Sequence, residues 1–164
     1  MQVSGQSTGP AQGDHELTIT AMSAADVSTV QAILKESPET SMWSEESLLE
    51  SASAGIAWVA RLKGTVAGIL IGRGAADEFD VLNLAVGKMW RRRKVATRLV
   101  ETALECARSA GARKAYLEVR ASNDGGISFY KQVGFRETGR RPDYYARPKE
   151  DAVLLVLKLS ATDP

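Results

Sequence analysis

The fold is decided by residues 83–98, NLAVGKMWRRRKVATR, in which an apolar stretch leads through a basic turn into a helical pattern. The apolar residues that end at Val86 predict a strand, and Val95, Leu99 and Ala103 recur at helical spacing behind the turn. Residues 88–98 carry six positive charges and no acidic group. A strand–turn–helix junction brings unpaired backbone N–H groups and the positive helix end to one point, which suits a pyrophosphate. The charge run by itself is also typical of a solvated turn or an RNA-contacting patch.

Further strand and helix signals on both sides of this stretch predict a mixed sheet covered by helices. Strands are predicted near residues 17–20, 56–62, 66–71, 79–86, 115–119 and 152–159. Helices are predicted to begin at Ser23, at Ser44, behind the basic turn and at Ser122-Asn123. Because the strands come first as a meander and then alternate with helices, the expected fold class is α/β (α+β).

Length and composition are those of one globular domain with short tails. The 164 residues are 44% apolar and 25% charged, and 21 Lys and Arg residues against 20 Asp and Glu residues leave a net charge of +1. We expect a disordered N-terminal tail over residues 1–16, a single domain over residues 17–160 and a short C-terminal tail over residues 161–164. The balanced charge argues against direct DNA binding, and we expect a monomer or a weak dimer.

The single cysteine and the single histidine exclude several classes of chemistry. Cys106 leaves no partner for an internal disulfide, and we interpret it as a packed residue on the apolar face of a helix. His15 lies in a polar leader, so Ser–His–acid and Cys–His catalysis lack their parts, and we expect no metal site. The longest apolar block, residues 152–157, is far shorter than the roughly 20 residues that span a bilayer. We therefore expect no membrane association and a cytoplasmic location.

A second group of motifs follows the first along the chain. Residues 117–123 read LEVRASN, and residues 129–135 read FYKQVGF. Together with residues 83–86 and the basic turn, they resemble the consecutive motifs of the GNAT superfamily of acetyl-CoA-dependent N-acetyltransferases, over about residues 17–159. Within the superfamily the sequence is most similar to the bacterial ribosomal-protein-alanine N-acetyltransferases of the RimI type. The blocks that carry this likeness are residues 43–45, 83–86, 117–123, 144–145 and 150–152.

The resemblance implies a GNAT-like fold with acetyl-CoA as the co-substrate. The fold would be a mixed, mostly antiparallel central sheet with helices on both faces, and a splayed pair of strands would hold acetyl-CoA. On this resemblance, the residues expected to contact the cofactor are Leu84, Ala85, Val86, Arg91, Arg92, Arg93, Lys94, Val95, Ala96, Thr97, Asn123 and Tyr130. Taken without the family, Asn123 at the start of a helix is more typical of a helix cap.

One position departs from the family pattern. The phosphate turn of the family reads Gln/Arg-x-x-Gly-x-Gly/Ala, and here Lys94 stands at the first glycine position. If the turn needs no positive φ, a lysine there still allows backbone N–H donation and adds a charge for phosphate. We therefore expect the mode of cofactor binding to be retained.

The resemblance also assigns two catalytic groups. Glu118 matches the general base that takes a proton from the acceptor amine, and Tyr130 matches the acid that protonates the departing thiolate. From the residues alone, Glu118 on a strand is more typical of a surface charge or of a partner for an arginine such as Arg120. Tyr130 shares a helix face with Ile127 and Val133, which is typical of a core aromatic.

The acceptor residues are expected in the less motif-like segments around residues 38–50 and 138–151, namely Trp43, Glu45, Tyr144 and Tyr145. The acidic residues Glu46, Glu78 and Asp80 are expected to attract a basic peptide. The usual acceptor of the family is the N-terminal alanine of a small-subunit ribosomal protein, so the expected partner is a protein N-terminus. Two alternatives stay open: the same chemistry on another amine (another protein N-terminus, a lysine, a polyamine or a drug), and a non-catalytic module that binds RNA or ribosomes through residues 88–98.

Overall fold

The computed structural model describes residues 16–40 and 42–160. The strands found there are β1 (Leu17–Ala21), β2 (Ala57–Leu62), β3 (Thr65–Ala75), β4 (Glu78–Val86), β5 (Lys114–Arg120), β6 (Arg136–Ala146) and β7 (Lys149–Lys158). The helices are α1 (Val27–Lys35), α2 (Glu45–Ser53), α3 (Val95–Ser109) and α4 (Asp124–Val133), with short 3-10 turns at Ala24–Asp26 and Lys88–Trp90. None of the helices in this part of the chain is long and apolar enough to cross a membrane. Apart from Glu16, the predicted tails at residues 1–16 and 161–164 lie outside the described residues.

The strands form one sheet in the order β1-β2-β3-β4-β5-β7-β6. All neighbours are antiparallel except β4 and β5, which run parallel. These two strands pair only where residues 78–80 of β4 meet residues 114–116 of β5. Beyond that point β4 pairs only with β3 and β5 only with β7, so the two strands diverge and leave a gap. The mixed, mostly antiparallel sheet with one splayed pair is confirmed.

Helices cover both faces of this sheet, as expected. On one face α3 and α4 contribute Leu99 and Tyr130 to a hydrophobic cluster that includes Leu70 of β3. On the other face α1 and α2 contribute Val30 and Leu48 to a cluster that includes Ile69. Because successive residues of a strand point to opposite faces, the neighbours Ile69 and Leu70 belong to separate cores.

A close contact at Gly68 fixes where α3 begins. A Cβ atom on Gly68 would lie 3.0 Å from the carbonyl oxygen of Ala85 and 3.0 Å from Cγ1 of Val95. Only a residue without a side chain lets the first turn of α3 pack this closely on β3 and β4. The start of α3 is thereby held at the carboxyl end of β4, where the gap beside β5 is open.

Strand β6 is the element that the sequence pattern did not predict. Its residues, RETGRRPDYYA, are mostly exposed and do not alternate between apolar and polar types. The strand lies at the edge of the sheet and pairs only with β7, with register shifts between Glu137 and Gly139 and between Arg141 and Tyr145. An edge strand need not bury a whole face, so hydrophobic periodicity gives no signal for it.

The interpretation of Cys106 as a packed residue is wrong, because its side chain is exposed. The buried positions of α3 are Val95, Leu99, Val100, Ala103, Leu104 and Ala107. This stripe passes beside Cys106, which lies at the solvent edge of the helix.

Candidate active site

The gap between β4 and β5 opens into a cavity of about 830 Å³. Its wall is formed by β4, β5, β6 and β7, together with the loop before α2 and the start of α4. Seven side chains assigned by the family resemblance line it, namely Trp43, Leu84, Glu118, Asn123, Tyr130, Tyr144 and Tyr145. The cavity between the diverging strands β4 and β5 therefore brings together residues that lie far apart in the sequence.

Other assigned residues lie outside this wall. Glu45 is exposed in the first turn of α2 and lines a separate, open depression along that helix. Ala85 is buried in the core beneath α1 and α2, so only its main-chain groups are available to a ligand. The carbonyl of Val86 accepts a hydrogen bond from Nε of Arg91 at 3.4 Å. The structure does not bring Glu45 to the other acceptor residues.

The basic turn, residues 91–94, leads into a helix start with many unused backbone donors. Within the described residues, none of the six N–H groups of residues 92–97 donates to a protein acceptor. The first helical hydrogen bond runs from the N–H of Arg98 to the carbonyl of Lys94, at 3.0 Å. Free N–H groups at a helix start carry the positive end of the helix dipole, so this segment can bind a phosphate group.

Lys94 takes a left-handed conformation at the position where the family has glycine. Its φ is 60° and that of Arg92 is 61°, whereas Arg93 between them does not have a positive φ. The condition attached to a lysine at this position, a turn without positive φ, is therefore not met. Alternating signs of φ curl successive N–H groups toward one side, which is the geometry of an anion-binding nest. A lysine in this conformation costs on the order of 1–2 kcal/mol of backbone strain.

Glu118 points from β5 into the cavity and contacts two groups on β6. Its Oε1 lies 3.5 Å from Nε of Arg141, and Tyr144 lines the same cavity. The Glu118 carboxylate, as an acceptor for the Tyr144 hydroxyl, together with burial raises the pKa of Tyr144. Glu118 thus has an arginine partner, as the alternative interpretation expected, but that arginine is Arg141, whereas Arg120 pairs with Glu150 at 3.3 Å.

Tyr130 lines the cavity and is also part of the core. Its ring packs edge to face against Phe129 and Phe135, with centroid distances of 5.1 and 5.6 Å. Burial raises the pKa of Tyr130 well above its ordinary value, so the phenol holds its proton at neutral pH. The position is thus compatible both with packing and with proton donation.

Asn123 begins α4 and lines the same cavity. Its side-chain oxygen accepts a hydrogen bond from the N–H of Gly126 at 3.0 Å, so the helix-cap interpretation is confirmed. No group of three or more His, Cys, Asp or Glu side chains in residues 16–40 and 42–160 is placed to hold a metal ion.

Charged pairs that sequence reasoning missed line the acceptor end of the cavity, the part beside β6 and the loop before α2. Arg73 and Asp80 are cross-strand neighbours on β3 and β4 and form a 2.8 Å ion pair. The hydroxyl of Tyr116 donates to Glu78 at 3.2 Å. Two of the acids expected to attract a basic peptide, Glu78 and Asp80, therefore already contact protein groups. The available signal was the opposite charge of Arg73 and Asp80, which lie near the facing ends of two consecutive predicted strands.

Aromatic side chains complete this end. The rings of Tyr144 and Tyr145 meet edge to face with centroids 5.0 Å apart, and the Arg120 guanidinium lies 4.2 Å from the centre of the Tyr145 ring. Nε1 of Trp43 is buried and has no hydrogen-bond partner within the described residues. Buried N–H groups are rarely left unpaired, so this indole N–H is a hydrogen-bond donor in the cavity wall that no described protein group uses.

Comparison with known proteins agrees with this geometry. The model of the acetyltransferase (GNAT) family matches residues 25–135 of the chain. The chain belongs to the GNAT family. The [ribosomal protein bS18]-alanine N-acetyltransferase of Escherichia coli is 32% identical over 99 residues, which are 59% of this chain and 67% of that protein.

Solved GNAT structures superpose over most of the chain. The ribosomal-protein-S18-alanine N-acetyltransferase from Escherichia coli gives a TM-score of 0.77 at 27% identity, over 90% of this chain and 96% of that one. The PaiA N-acetyltransferase from Thermoplasma acidophilum, solved in complex with coenzyme A, gives a TM-score of 0.75 at 19% identity. That match covers 87% of this chain and 99% of the other, and it shows the fold alone.

These findings confirm the GNAT resemblance, including the likeness to the RimI type. The family model ends at Phe135, so β6 and β7 lie beyond it. Arg141, Tyr144 and Tyr145 therefore lie outside the residues that match the family model.

Proposed function

We propose that this GNAT protein transfers the acetyl group of acetyl-CoA to the N-terminal α-amine of a protein, with a ribosomal protein that begins with alanine as the acceptor. The observation that carries the proposal is that a carboxylate, Glu118, and a protonated phenol, Tyr130, line one cavity at the splayed strands. A direct transfer needs a group that takes a proton from the amine and a group that gives one to the thiolate.

Cofactor binding would use mainly the backbone. The N–H groups of residues 92–97 would hold the pyrophosphate, with the arginines and Lys94 supplying charge around it. The main chain of residues 84–86, on the side of β4 that β5 leaves unpaired, would bind the pantetheine arm and place the thioester in the gap. Asn123 and Tyr130, which line the cavity, would contact the same arm.

The proposed reaction is a direct attack of the amine on the thioester. An α-amine has a pKa of about 8 and is mostly protonated at neutral pH, so Glu118 would take a proton from it, directly or through a water molecule. The tetrahedral oxyanion would be stabilised by a backbone N–H near Val86. Coenzyme A thiolate, whose pKa is about 8.5, would then leave as Tyr130 gives it a proton. These steps use no metal ion.

Similarity to the bS18-alanine N-acetyltransferases supports the choice of acceptor. The cavity wall adds two tyrosines and Trp43 as an aromatic surface for the first residues of a peptide. Another amine, such as a lysine or a polyamine, is the competing acceptor because the cofactor half of the site would serve it equally well. A non-catalytic module that binds RNA through the basic turn is the competing function.

Mass spectrometry of peptides incubated with acetyl-CoA tests the proposal. The set comprises a peptide with free N-terminal alanine, the same peptide with a blocked N-terminus and an internal lysine, and a polyamine. We expect one acetyl group on the α-amine of the first peptide and none on the blocked one. Acetylation of the lysine or the polyamine alone would show that the acceptor is another amine. Salt-sensitive RNA binding without any turnover would show that the protein is a binding module and not an enzyme.

A further inference from the structure

Two sets of the same three residue types lie side by side on β5, β7 and β6. Glu118, Arg141 and Tyr144 form one set, which we call the cavity set. The second, the hinge set, lies beside it and consists of Arg120, Glu150 and Tyr145. In the ladder, Arg120 and Arg141 lie on either side of Ala152, and Glu118 and Gly139 lie on either side of Leu154. Residues directly opposite each other in antiparallel strands share a face, so Glu118, Arg120 and Arg141 lie together on the face that lines the cavity, and Glu150 lies on the same face of β7 beside Tyr145.

Small residues make the contact across β7 possible. Glu118 and Arg141 are not on adjacent strands, and they lie diagonally across the sheet. On this face Gly139 of β6 and Ala152 of β7 present no bulky side chain, whereas Leu154 of β7 does, so the room over β7 is at Ala152, directly beside Arg141. The Arg141 side chain can therefore lie across β7 and reach Oε1 of Glu118 with its Nε, at 3.5 Å.

An interruption in the pairing of β6 with β7 explains why the side chain of Tyr144 faces the cavity. Pairing with β7 stops after Arg141 and resumes at Tyr145. Asp143 between them has a φ of 54°, and its N–H donates to Oδ1 of Asp151 at 2.9 Å. Adjacent residues of a regular strand point to opposite faces, yet Tyr144 and Tyr145 both line the cavity. The interruption thus turns Tyr144 toward Glu118.

The two sets differ in how much hydrogen-bonding capacity remains. Glu150 accepts from the N–H of Ser122 at 2.5 Å and pairs with Arg120, which also donates to the carbonyls of Arg147 and Pro148 at 3.1 Å. The hinge set therefore ties the β6–β7 turn to the end of β5. A carboxylate has about four lone-pair sites, so Glu118, held by one arginine and one phenol, keeps sites for an amine or a water molecule.

We propose that Arg141 and Tyr144 are positioning residues for the proposed base: they hold the Glu118 carboxylate in the cavity and leave its free lone pairs for the acceptor. This inference rests on the proposed function of Glu118. Arg141 is 58% exposed and its ion pair is long, so the arginine can give way when the ammonium group of an acceptor arrives. Tyr144 would stay in place and keep the carboxylate oriented.

The kinetic test uses the full chain, acetyl-CoA and the best peptide from the acceptor assay. Tyr144→Phe keeps the aromatic ring but removes the donor, and its control is Ser109→Ala, which removes the hydroxyl donor to Glu105 at the surface of α3, away from the cavity. Arg141→Gln is matched by Arg140→Gln, since Arg140 pairs with Glu137 instead. We expect kcat to fall about tenfold in Tyr144→Phe and Arg141→Gln, the size of a lost hydrogen bond to a charged group, with acetyl-CoA KM little changed. Arg141→Lys should restore part of kcat, and the controls should stay close to wild type.

A spectroscopic test measures the contact itself. The titration of Tyr144, followed by NMR with ¹³C-labelled tyrosine and assigned by its loss in Tyr144→Phe, should move to lower pH when Glu118→Gln removes the carboxylate. An unchanged titration would overturn the proposal, because the contact would then be absent. Wild-type kcat in both Tyr144→Phe and Arg141→Gln, while Glu118→Gln is impaired, would overturn the positioning role and leave the proposed function standing. Wild-type activity of Glu118→Gln would overturn both.

Discussion

The basic turn and the cavity set differ in the groups that they offer to a ligand: the turn offers main-chain N–H groups, and the cavity set offers side chains. The turn offers six main-chain N–H groups at the start of α3, and main-chain donors are present whatever the side chain. The cavity set depends on three particular side chains, Glu118 on β5 and Arg141 and Tyr144 on β6, which approach one another across β7. Because the turn binds with its backbone, it can tolerate Lys94 at a glycine position, whereas the cavity set cannot change one member without losing a contact.

The largest expected effect is at Glu118. Glu118→Gln keeps the shape of the side chain but cannot take the proton of the amine, so kcat should fall by about 10²–10⁴-fold at neutral pH. Partial recovery is expected at high pH, where more of the amine is neutral. The matched control is Glu150→Gln in the hinge set, which should keep kcat near the wild-type value. If the chemical step limits the rate and Glu118→Gln keeps the wild-type turnover, Glu118 is not the general base.

Tyr130→Phe is expected to have the next largest effect. The substitution removes the phenolic proton and keeps the ring against Phe129 and Phe135. We expect kcat to fall about tenfold or more, below the usual upper range of acid catalysis because the thiol is already a fair leaving group. The free energy of unfolding should change by less than about 1.5 kcal/mol. If stability falls and kcat does not, Tyr130 is a core aromatic only and the proton comes from another group.

Charge reversal in the basic turn should act on the cofactor and not on the chemical step. Arg92→Glu combined with Lys94→Glu places two negative charges beside the proposed pyrophosphate, so the KM for acetyl-CoA should rise about tenfold with a smaller change in kcat. Lys114→Glu combined with Lys158→Glu gives the same change in net charge at exposed cross-strand neighbours on β5 and β7. Calorimetry at moderate salt that finds equal acetyl-CoA binding in both double variants would contradict the assignment of the turn.

The same contrast explains what the sequence could reveal. The strand, turn and helix of residues 83–98 follow one another along the chain, so their local patterns predict both the elements and the anion site. The backbone conformation of Lys94 was missed because a residue's type does not report its φ. The cavity set as a group could not be predicted, because Glu118 and Arg141 meet diagonally across β7 and Tyr144 faces the cavity only where the pairing of β6 with β7 is interrupted. Charged, exposed edge-strand residues carry no periodic signal.

A smaller and purely structural effect is expected from the hinge set. Hydrogen bonds from Ser122, and after them Arg120, lower the pKa of Glu150 below its ordinary value. A carboxylate whose pKa is lower in the folded state stabilises the fold above its unfolded pKa of about 4.3, and this contribution is lost as pH falls through the folded pKa. Wild type should therefore have a higher Tm than Glu150→Gln at neutral pH, and the difference should vanish in strong acid. A Tm difference independent of pH would show that the charge of Glu150 plays no part.

The smallest expected effect separates backbone from charge at Lys94. Lys94→Gly and Lys94→Ala remove the same charge, but only glycine adopts a positive φ without strain. Glycine avoids the backbone strain of a positive φ, but its greater conformational freedom in the unfolded chain offsets part of this gain. The free energy of unfolding of Lys94→Gly should therefore exceed that of Lys94→Ala by about 0.5–1 kcal/mol in chemical denaturation. Both variants should raise the acetyl-CoA KM by the same small factor, because the N–H groups of the turn remain. A KM that rises in the alanine variant but not in the glycine variant would mean that the lysine strains the nest, and that the turn is less tolerant of side chains than its main-chain donors imply.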